Sequence, residues 1–316
     1  CVSWIGYEIE DKGDRILARI KAEFMTTLAQ SIDNALMKNV ISLKELRSMT
    51  GCINHVASLI LAWRPFIDSL WAACSSRDDE HGGASRTQEM THAKRKRKRA
   101  KPTRAPRGMI WVKQILPALT WLQCFLQGRR GTLERCWMSD YFTKAGEDVT
   151  FTVDASPFGI GGVLYIGGVP EAFFFDRLYE EDENILHTER GSADGQQMWE
   201  CLTILVALRI WWSYWADRKA IVTIRGDNIA ALTLGARLKI TGPCNIIGRE
   251  ISMLYAEAAY EPRFFEHIPG VGNVVADALS RIFDPNKRAK VPAVLSGLTP
   301  TPVPRRGPGW YTTLTA

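Results

Sequence analysis

The chain has 316 residues, a net charge of +6 and a pI near 8.9, so it is mildly basic and permits a polyanionic partner. Hydrophobic residues make up 46% and charged residues 23%, the balance of a globular protein with one large or two ordinary domains. No apolar run reaches the roughly 18–20 residues that cross a bilayer, so no membrane partner is predicted. The seven cysteines are scattered without a C-x-x-C pair, which disfavours zinc knuckles and favours an intracellular compartment, cytoplasmic or nuclear.

The first stretch, residues 1–76, predicts a short strand over 4–9 followed by helices. Apolar residues recur at spacings of three and four from Ile16 to Leu28 and again from Leu43 to Ile60, as an amphipathic helix requires. The chain begins at Cys1 directly before strand-like residues, which suggests a piece of something longer. We expect a mainly helical region here.

Residues 77–108 are polar and then strongly basic, with Lys96 and Arg97 inside the run 94–101. Like charges this dense repel one another and bury little apolar area, so a disordered linker is predicted. Three roles stay open for the run: a nuclear localisation signal, a nucleic-acid contact through Lys96 and Arg97, or a solvated linker.

The remaining chain predicts one more helical connection and then an α/β domain. Residues 109–148 contain an amphipathic helical pattern over 109–126. Residues 149–283 alternate β-rich and helical patterns: three strands near 149–153, 160–166 and 169–175, a helix over 196–215, a strand over 220–225, two helices, a strand over 263–268 and a last helix over 273–282. Residues 284–316 contain six prolines and no periodicity, so a flexible tail is predicted.

Four carboxylates interrupt apolar contexts in the α/β domain. Asp154 ends the first strand, Glu200 lies early in the first long helix, Asp227 ends the fourth strand and Asp277 lies on the last helix. If the first and fourth strands are neighbours, these acids converge, and hard divalent cations such as Mg²⁺ or Mn²⁺ would relieve their repulsion. Turn, capping or surface roles remain alternatives for each acid. Residues 176–195 are interpreted as a long acidic loop, which offers rivals to Glu200, namely Glu183, Glu189 and Asp194.

Two stretches resemble the type 1 ribonuclease H domains of retroelement reverse transcriptases. Asp154 to Leu164 (DASPFGIGGVL) is similar to their first-strand signature, and His267 to Arg281 (HIPGVGNVVADALSR) is similar to their closing signature. The order of the four acids, D-E-D-D, is also the order of that family. The resemblance implies a ribonuclease H-like α/β fold, with a five-stranded mixed sheet flanked by helices, over 149–283.

The resemblance also implies a chemistry: endonucleolytic hydrolysis of the RNA strand of RNA–DNA hybrids with two metal ions. Asp154 would bridge both ions, Asp277 would hold the ion that activates water, and Glu200 and Asp227 would hold the ion beside the leaving group. His267, ten residues before Asp277, matches a mobile-loop histidine that moves protons. A histidine at a strand end is also a common polar strand residue.

Contacts to the hybrid are expected from a few further residues. Asn273 matches a family position that fixes the loop or touches the hybrid, and Ser156 and Asn228 are expected as hydrogen-bonding neighbours. Gly159 would let the backbone approach the RNA closely. These residues, with Lys96 and Arg97, complete the predicted nucleic-acid-binding set.

The upstream stretches 4–9, 46–51 and 63–66 are similar to the region after the polymerase palm of retrotransposon reverse transcriptases. They imply a thumb and connection region, and an upstream polymerase domain of the same polyprotein as a partner. The sequence holds no aromatic-x-Asp-Asp motif, so this piece is not expected to synthesise DNA. Two alternative functions stay open: a catalytically inactive nucleic-acid-binding or connection module, and a transposase or integrase, which would need its glutamate last.

Overall fold

The computed structural model describes residues 2–4, 6–75, 105–138, 146–215, 220–239, 244–257 and 264–314. Lys96, Arg97 and the predicted linker up to residue 104 lie outside these ranges. Within the described ranges, no helix combines the length and the apolar character that a membrane span requires.

The N-terminal half combines helices with two small sheets. Its elements are β1 (Val2–Trp4), β2 (Tyr7–Asp11), β3 (Arg15–Ile20), α1 (Ala22–Leu36), β4 (Val40–Ser42), α2 (Leu43–Leu59), α3 (Arg64–Ser75), β5 (Met109–Trp111), α4 (Leu116–Leu126) and β6 (Glu134–Met138). Strands β1, β2, β3 and β6 form an antiparallel sheet in that order, and β4 pairs with β5. The helices pack around a buried apolar core, so the predicted helical character of this half is confirmed.

Two predicted helices begin later than expected because their first residues form strands. Ile16 and Ile20 lie on β3, where Ala18 and Ile20 are buried with the period of two that a strand requires. Residues 109–111 form β5, which pairs with β4, and α4 begins only at Leu116. In both places the apolar spacing fits either structure, and pairing with a distant strand decides the outcome.

The C-terminal half is an α/β domain whose strands and helices follow the predicted order, with one additional helix, α5 (Glu180–Leu186). These are β7 (Glu147–Ala155), β8 (Gly159–Ile166), β9 (Val169–Arg177), α5 (Glu180–Leu186), α6 (Gln196–Ile210), β10 (Ala220–Gly226), α7 (Ile229–Arg237), α8 (Asn245–Glu257), β11 (Phe264–His267) and α9 (Val274–Ser280). The sheet order is β11-β10-β7-β8-β9; β7 to β9 are antiparallel, and β10 and β11 run parallel to β7. The ribonuclease H-like fold class is thereby confirmed.

The two faces of this sheet bury different helices. Helix α6 is buried almost all round, and it packs with Val149, Phe151 and Val153 of β7 in the main core. Helix α9 covers the opposite face, where Leu279 packs against Val163 in a smaller core. The carboxyl end of β7 therefore lies between two helices that approach from opposite faces.

The approach of α9 to β8 explains the glycines that we expected to face RNA. A Cβ atom on Gly159 would lie 2.7 Å from the carbonyl oxygen of Ser280, and one on Gly161 would lie 2.5 Å from the Cβ of Leu279. Gly159 is also buried. The missing side chain of Gly159 makes room for helix α9, and an approach of RNA to its backbone stays a prediction.

Helix α5 lies in the segment that we interpreted as a long acidic loop. Its first turn carries four acidic residues, which are favourable near the positive end of the helix dipole. His187 ends the helix in a left-handed conformation with φ of 52°. The same charge density that suggested a loop therefore stabilises a helix start.

The C-terminal segment differs from the predicted flexible tail, because its last part packs onto the α/β domain. The Thr301 N–H donates to the Phe173 carbonyl at 2.7 Å, and Arg306 and Tyr311 are fully buried. The Thr313 N–H donates to Glu250 of α8 at 2.7 Å. Periodicity gives no signal for such a segment, since it is held by single polar anchors and not by a repeating apolar face.

Helix α8 contributes to the hydrophobic cores of both halves. Ile247 and Ile251 belong to the core of the α/β domain, whereas Met253 and Ala256 belong to the core of the N-terminal half. The side chain of Asn245 also donates to the Pro65 carbonyl at 2.9 Å. The halves are thus joined through a shared helix.

Candidate metal centre

Three of the four predicted acids meet at the carboxyl ends of β7 and β10. One carboxylate oxygen from each of Asp154, Glu200 and Asp227 lies within 4.8 Å of the others. The parallel register pairs Arg225 with Thr152, so two residues further along it places Asp227 beside Asp154. Glu200 reaches the same point from the second turn of α6.

The carboxylate of Asp154 is fixed by donors from the start and end of α9. The Ser280 hydroxyl donates to Asp154 Oδ2 at 2.6 Å, and the Asn273 amide donates to Oδ1 at 3.3 Å. The Asn273 amide also donates to the Val153 carbonyl at 3.0 Å. Since Ser280 and Asn273 are almost fully buried, α9 holds Asp154 in one orientation.

Glu200 is held by its own helix and by the end of β7. Its Oε1 atom accepts from the Gln196 amide at 2.9 Å and from the Ala155 N–H at 3.3 Å. Gln196 also donates to the Ala155 carbonyl at 2.6 Å, so it ties α6 to β7. The rival acids lie elsewhere: Glu183 pairs with Arg190 at 2.6 Å, and Glu189 and Asp194 are exposed.

Burial and mutual repulsion make this site costly to ionise. Burial, followed by the charges of Asp227 and Asp277, raises the pKa of Asp154 to about 7, although the Ser280 hydrogen bond opposes the shift. Burial and the charges of Asp154 and Asp227 also raise the pKa of Glu200 well above its ordinary value. A set of hard oxygen donors with suppressed ionisation fits a divalent cation such as Mg²⁺ or Mn²⁺, which would stabilise the charged forms.

The fourth predicted acid, Asp277, stands beside this group and outside it. Its Oδ1 atom accepts from both Nε and Nη2 of Arg281, each at 2.6 Å. Its negative charge is nevertheless close enough to raise the pKa of Asp154. The structure therefore brings three of the four acids together and pairs the fourth with an arginine.

His267 and the loop that follows it border the site. His267 is exposed at the end of β11, in register with Gly226, the residue before Asp227. Further along the loop, a Cβ on Gly270 would lie 3.4 Å from Asp227 Oδ2. A proton-transfer role for His267 stays a prediction.

Three residues predicted to contact nucleic acid make internal hydrogen bonds. Ser156 is 2% exposed; its hydroxyl donates to the Ser280 carbonyl at 2.8 Å and accepts from the Gly159 N–H at 3.1 Å, which is a structural role, and its contact with nucleic acid stays a prediction. The half-buried Asn228 caps α7 by accepting from the Ala231 N–H at 3.0 Å. Asn273, at 1% exposed, donates to Asp154 Oδ1, and its predicted contact with the hybrid stays a prediction.

Ser280, Arg281 and Gln196 were missed as functional residues. Ser280 and Arg281 close the second signature, and their spacing of three and four from Asp277 places them on its helical turn. Gln196 lies four residues before Glu200, the spacing of neighbours on one helix face. These spacings carried a signal that side-chain partners of the acids lay nearby.

Comparisons with known proteins give distant likenesses only. No family model and no curated protein matches the sequence. Among solved structures, the chain is similar to ribonuclease H1 of the archaeon Halobacterium salinarum (21% identity, TM-score 0.32, 42% of this chain and 93% of that one). It is also similar to the N-terminal ribonuclease H domain of a Mycobacterium tuberculosis protein (15% identity, TM-score 0.33, 43% of this chain and 92% of that one).

A longer likeness is to a foamy viral protease-reverse transcriptase in complex with an RNA/DNA hybrid. The identity is 15% and the TM-score 0.27, over 96% of this chain and 32% of that one. The chain thus spans about a third of that viral protein. Identities below 25% and TM-scores below 0.5 are too low to assign an activity, which must rest on the site itself.

Proposed function

We propose that the chain is a metal-dependent ribonuclease that cuts the RNA strand of RNA–DNA hybrids internally. The observation that carries this proposal is the meeting of Asp154, Glu200 and Asp227 within 4.8 Å, with Asp277 beside them. These are the acids of the D-E-D-D order, and they belong to elements far apart in the chain. An acidic group of this kind has no stabilising role without a cation, because burial and repulsion disfavour its charged state.

The proposed cofactor is a pair of Mg²⁺ or Mn²⁺ ions held by the four carboxylates. When bound, such ions lower the pKa of an attacking water and stabilise the charge of the phosphoryl group. Asp154 would face both ions, and its fixed orientation suits that position, since Ser280 and Asn273 each hold one of its oxygens. Glu200 and Asp227 would serve the leaving-group side, and Asp277 the water side.

The remaining chain residues would orient groups and move protons. Gln196 keeps Glu200 directed at the end of β7, which reduces the reorganisation needed when a cation binds. His267 lies exposed at the end of β11, directly before the loop in which Gly270 approaches Asp227. We propose His267 as the proton carrier.

The substrate class rests on the two sequence signatures, from Asp154 to Leu164 and from His267 to Arg281. We propose a hybrid substrate because the signatures resemble domains that act on it, with the 2′-hydroxyl distinguishing RNA from DNA. The same resemblance supports an origin in a retrotransposon reverse transcriptase, with a polymerase domain upstream as partner. The N-terminal half would then serve as the thumb and connection region.

The test is cleavage of an end-labelled RNA–DNA hybrid by the purified chain, with and without Mg²⁺ or Mn²⁺. Internal cuts in the RNA strand are expected with metal, and none in double-stranded RNA or DNA. Asp154→Asn should abolish cleavage while hybrid binding and fold remain, because the amide keeps the shape and loses the charge. Asp148→Asn is the matched control, since Asp148 lies on the same strand and face but is exposed at its far end.

Two outcomes would contradict the proposal. Cleavage that Asp154→Asn leaves undiminished would remove Asp154 from the reaction. A wild-type chain that binds the hybrid but never cuts it, with either metal, would favour the inactive binding module.

A further inference from the structure

Arg281, the residue that directly follows α9, forms an ion pair with Asp277, the fourth predicted acid. Two nitrogens of Arg281 lie 2.6 Å from Asp277 Oδ1, across one helical turn. The hydrogen bond to Asp277, together with the charges of Asp277 and Asp154, raises the pKa of Arg281. The guanidinium is therefore a permanent positive charge at the edge of the acidic group.

Arg281 affects two of the predicted acids, Asp277 and Asp154. Its neighbour Ser280 donates to Asp154, so the residue that positions this aspartate directly precedes the one that carries the guanidinium. The positive charge of Arg281 in turn lowers the pKa of Asp154. Arg281 therefore acts on both aspartates.

The ion pair has the character of a contact that can be broken. The side chains of Arg281 and Asp277 are 32% and 38% exposed, so water screens their attraction. Arg306, by contrast, is fully buried between Asp176 and Asp182, where release of the pair would leave buried charges. The two arginines illustrate a releasable and a fixed pairing in one domain.

We propose that Arg281 is a built-in counter-ion that competes with a divalent cation for Asp277. In the metal-free chain it neutralises Asp277 and keeps it out of the three-carboxylate group; when a divalent cation binds, Asp277 exchanges one partner for the other. Arg281 is thus a positioning residue that sets the affinity for the ion that Asp277 shares. This inference rests on the proposed function, since it assumes that the acids hold metal.

The experiment measures metal binding without substrate, on the full chain. Mg²⁺ affinity is obtained by calorimetry, and Mn²⁺ affinity and stoichiometry by electron paramagnetic resonance. The Arg281→Gln variant should bind the ion that Asp277 shares about two- to five-fold more tightly than the wild type. The reason is that the exposed ion pair between Arg281 and Asp277 no longer has to be broken. Arg281→Lys keeps the charge and should stay close to wild type. Lys38→Gln, which breaks an exposed pair with Glu45 in the other half, should change nothing.

A double-variant comparison separates competition for Asp277 from a general charge effect. Asp277→Asn should weaken binding of the ion, and adding Arg281→Gln to it should give no further gain. If the gain persists in the Asp277→Asn background, Arg281 acts only as a distant charge and the proposal is wrong. Unchanged or weaker binding by Arg281→Gln would also overturn it.

The failure of this inference differs from the failure of the proposed function. A wild-type chain that binds metal, with an Arg281→Gln variant of equal affinity, refutes the counter-ion alone. A wild-type chain that binds neither metal refutes both. Each variant's thermal unfolding is measured against its own metal-free state, so a loss of fold cannot pass for a change in affinity.

Discussion

Arg306 offers the sharpest test of how the C-terminal segment stabilises the α/β domain. Its guanidinium is fully buried and donates to Asp176 Oδ2 at 2.5 Å, to both oxygens of Asp182 at 2.9 and 3.0 Å, and to the Arg177 carbonyl at 2.8 Å. Arg306→Met removes the cation and leaves two carboxylates without their main partner. Breaking one side of a buried pair costs about 3–5 kcal/mol.

The lower end of this range applies here, because Asp182 keeps a hydrogen bond from the Tyr179 N–H at 2.9 Å. We therefore expect a loss of about 3 kcal/mol, a large part of the roughly 5–15 kcal/mol of an ordinary domain. Urea and thermal unfolding measure it, and the melting temperature should fall by on the order of 10 °C.

A neighbouring arginine supplies the control for this prediction. Arg305 pairs with Glu181 at 2.9 Å, but its side chain is 54% exposed and water screens the pair, so Arg305→Met should leave the unfolding free energy close to that of the wild type. Combining Arg306→Met with Asp176→Asn and Asp182→Asn should recover most of the loss, since no buried charge then remains unpaired. Equal stabilities of Arg306→Met and Arg305→Met would refute the reasoning.

The remaining predictions concern the acidic site and the packing behind it. Ser280→Ala removes the hydrogen bond that lowers the pKa of Asp154, so cleavage should slow about tenfold at neutral pH and its pH profile should move upward. The metal-free chain should lose stability as pH rises from about 4 to about 7, because Asp154 binds its proton more tightly when folded than when unfolded. Added Mg²⁺ should oppose this loss, as unfolding curves at several pH values would show. Gly161→Ala should cost about 1–3 kcal/mol in unfolding free energy, since its Cβ meets backbone of α9 at 2.7 Å.

Each of these predictions has a matched control. Ser252→Ala removes a buried helical serine that, like Ser280, bonds a carbonyl three residues back; a pH profile moved equally by both would remove Ser280 from the site. Asp154→Asn should flatten the pH dependence of stability, and an unchanged slope would assign it to other groups. Gly272→Ala meets no atom within 4 Å and should be neutral, so an equally neutral Gly161→Ala would contradict the packing account.

The site acids could be predicted because their placement follows from local pattern and simple topology. Asp154 and Asp227 end strands, and parallel neighbours bring such ends together whatever the details of packing. Their hydrogen-bond partners could not be found in this way. Whether Ser280 reaches Asp154 depends on how closely α9 lies on β8. The glycines of β8 allow this close approach, but their presence in the sequence does not predict it.

The errors arose where one pattern fits two structures. Ile16 and Ile20 satisfy a helical spacing as well as a strand, and the partner strands β2 and β6 come from outside the local window. The acids of α5 resemble a solvated loop until the helix dipole is considered. Arg306 stands among prolines without periodicity, and its two buried partners lie 124 and 130 residues earlier.

A helix that belongs to two hydrophobic cores cannot remain with both if the halves of the chain separate. Helix α8 gives Ile247 and Ile251 to one core and Met253 and Ala256 to the other. Loosening the N-terminal half would uncover apolar surface on an element of the α/β domain, so the two halves should unfold in a single transition. In a fragment that begins at Glu147, the apolar side chains that α8 contributes to the N-terminal core would be permanently exposed. Such a fragment would tend to associate with itself or with the missing half.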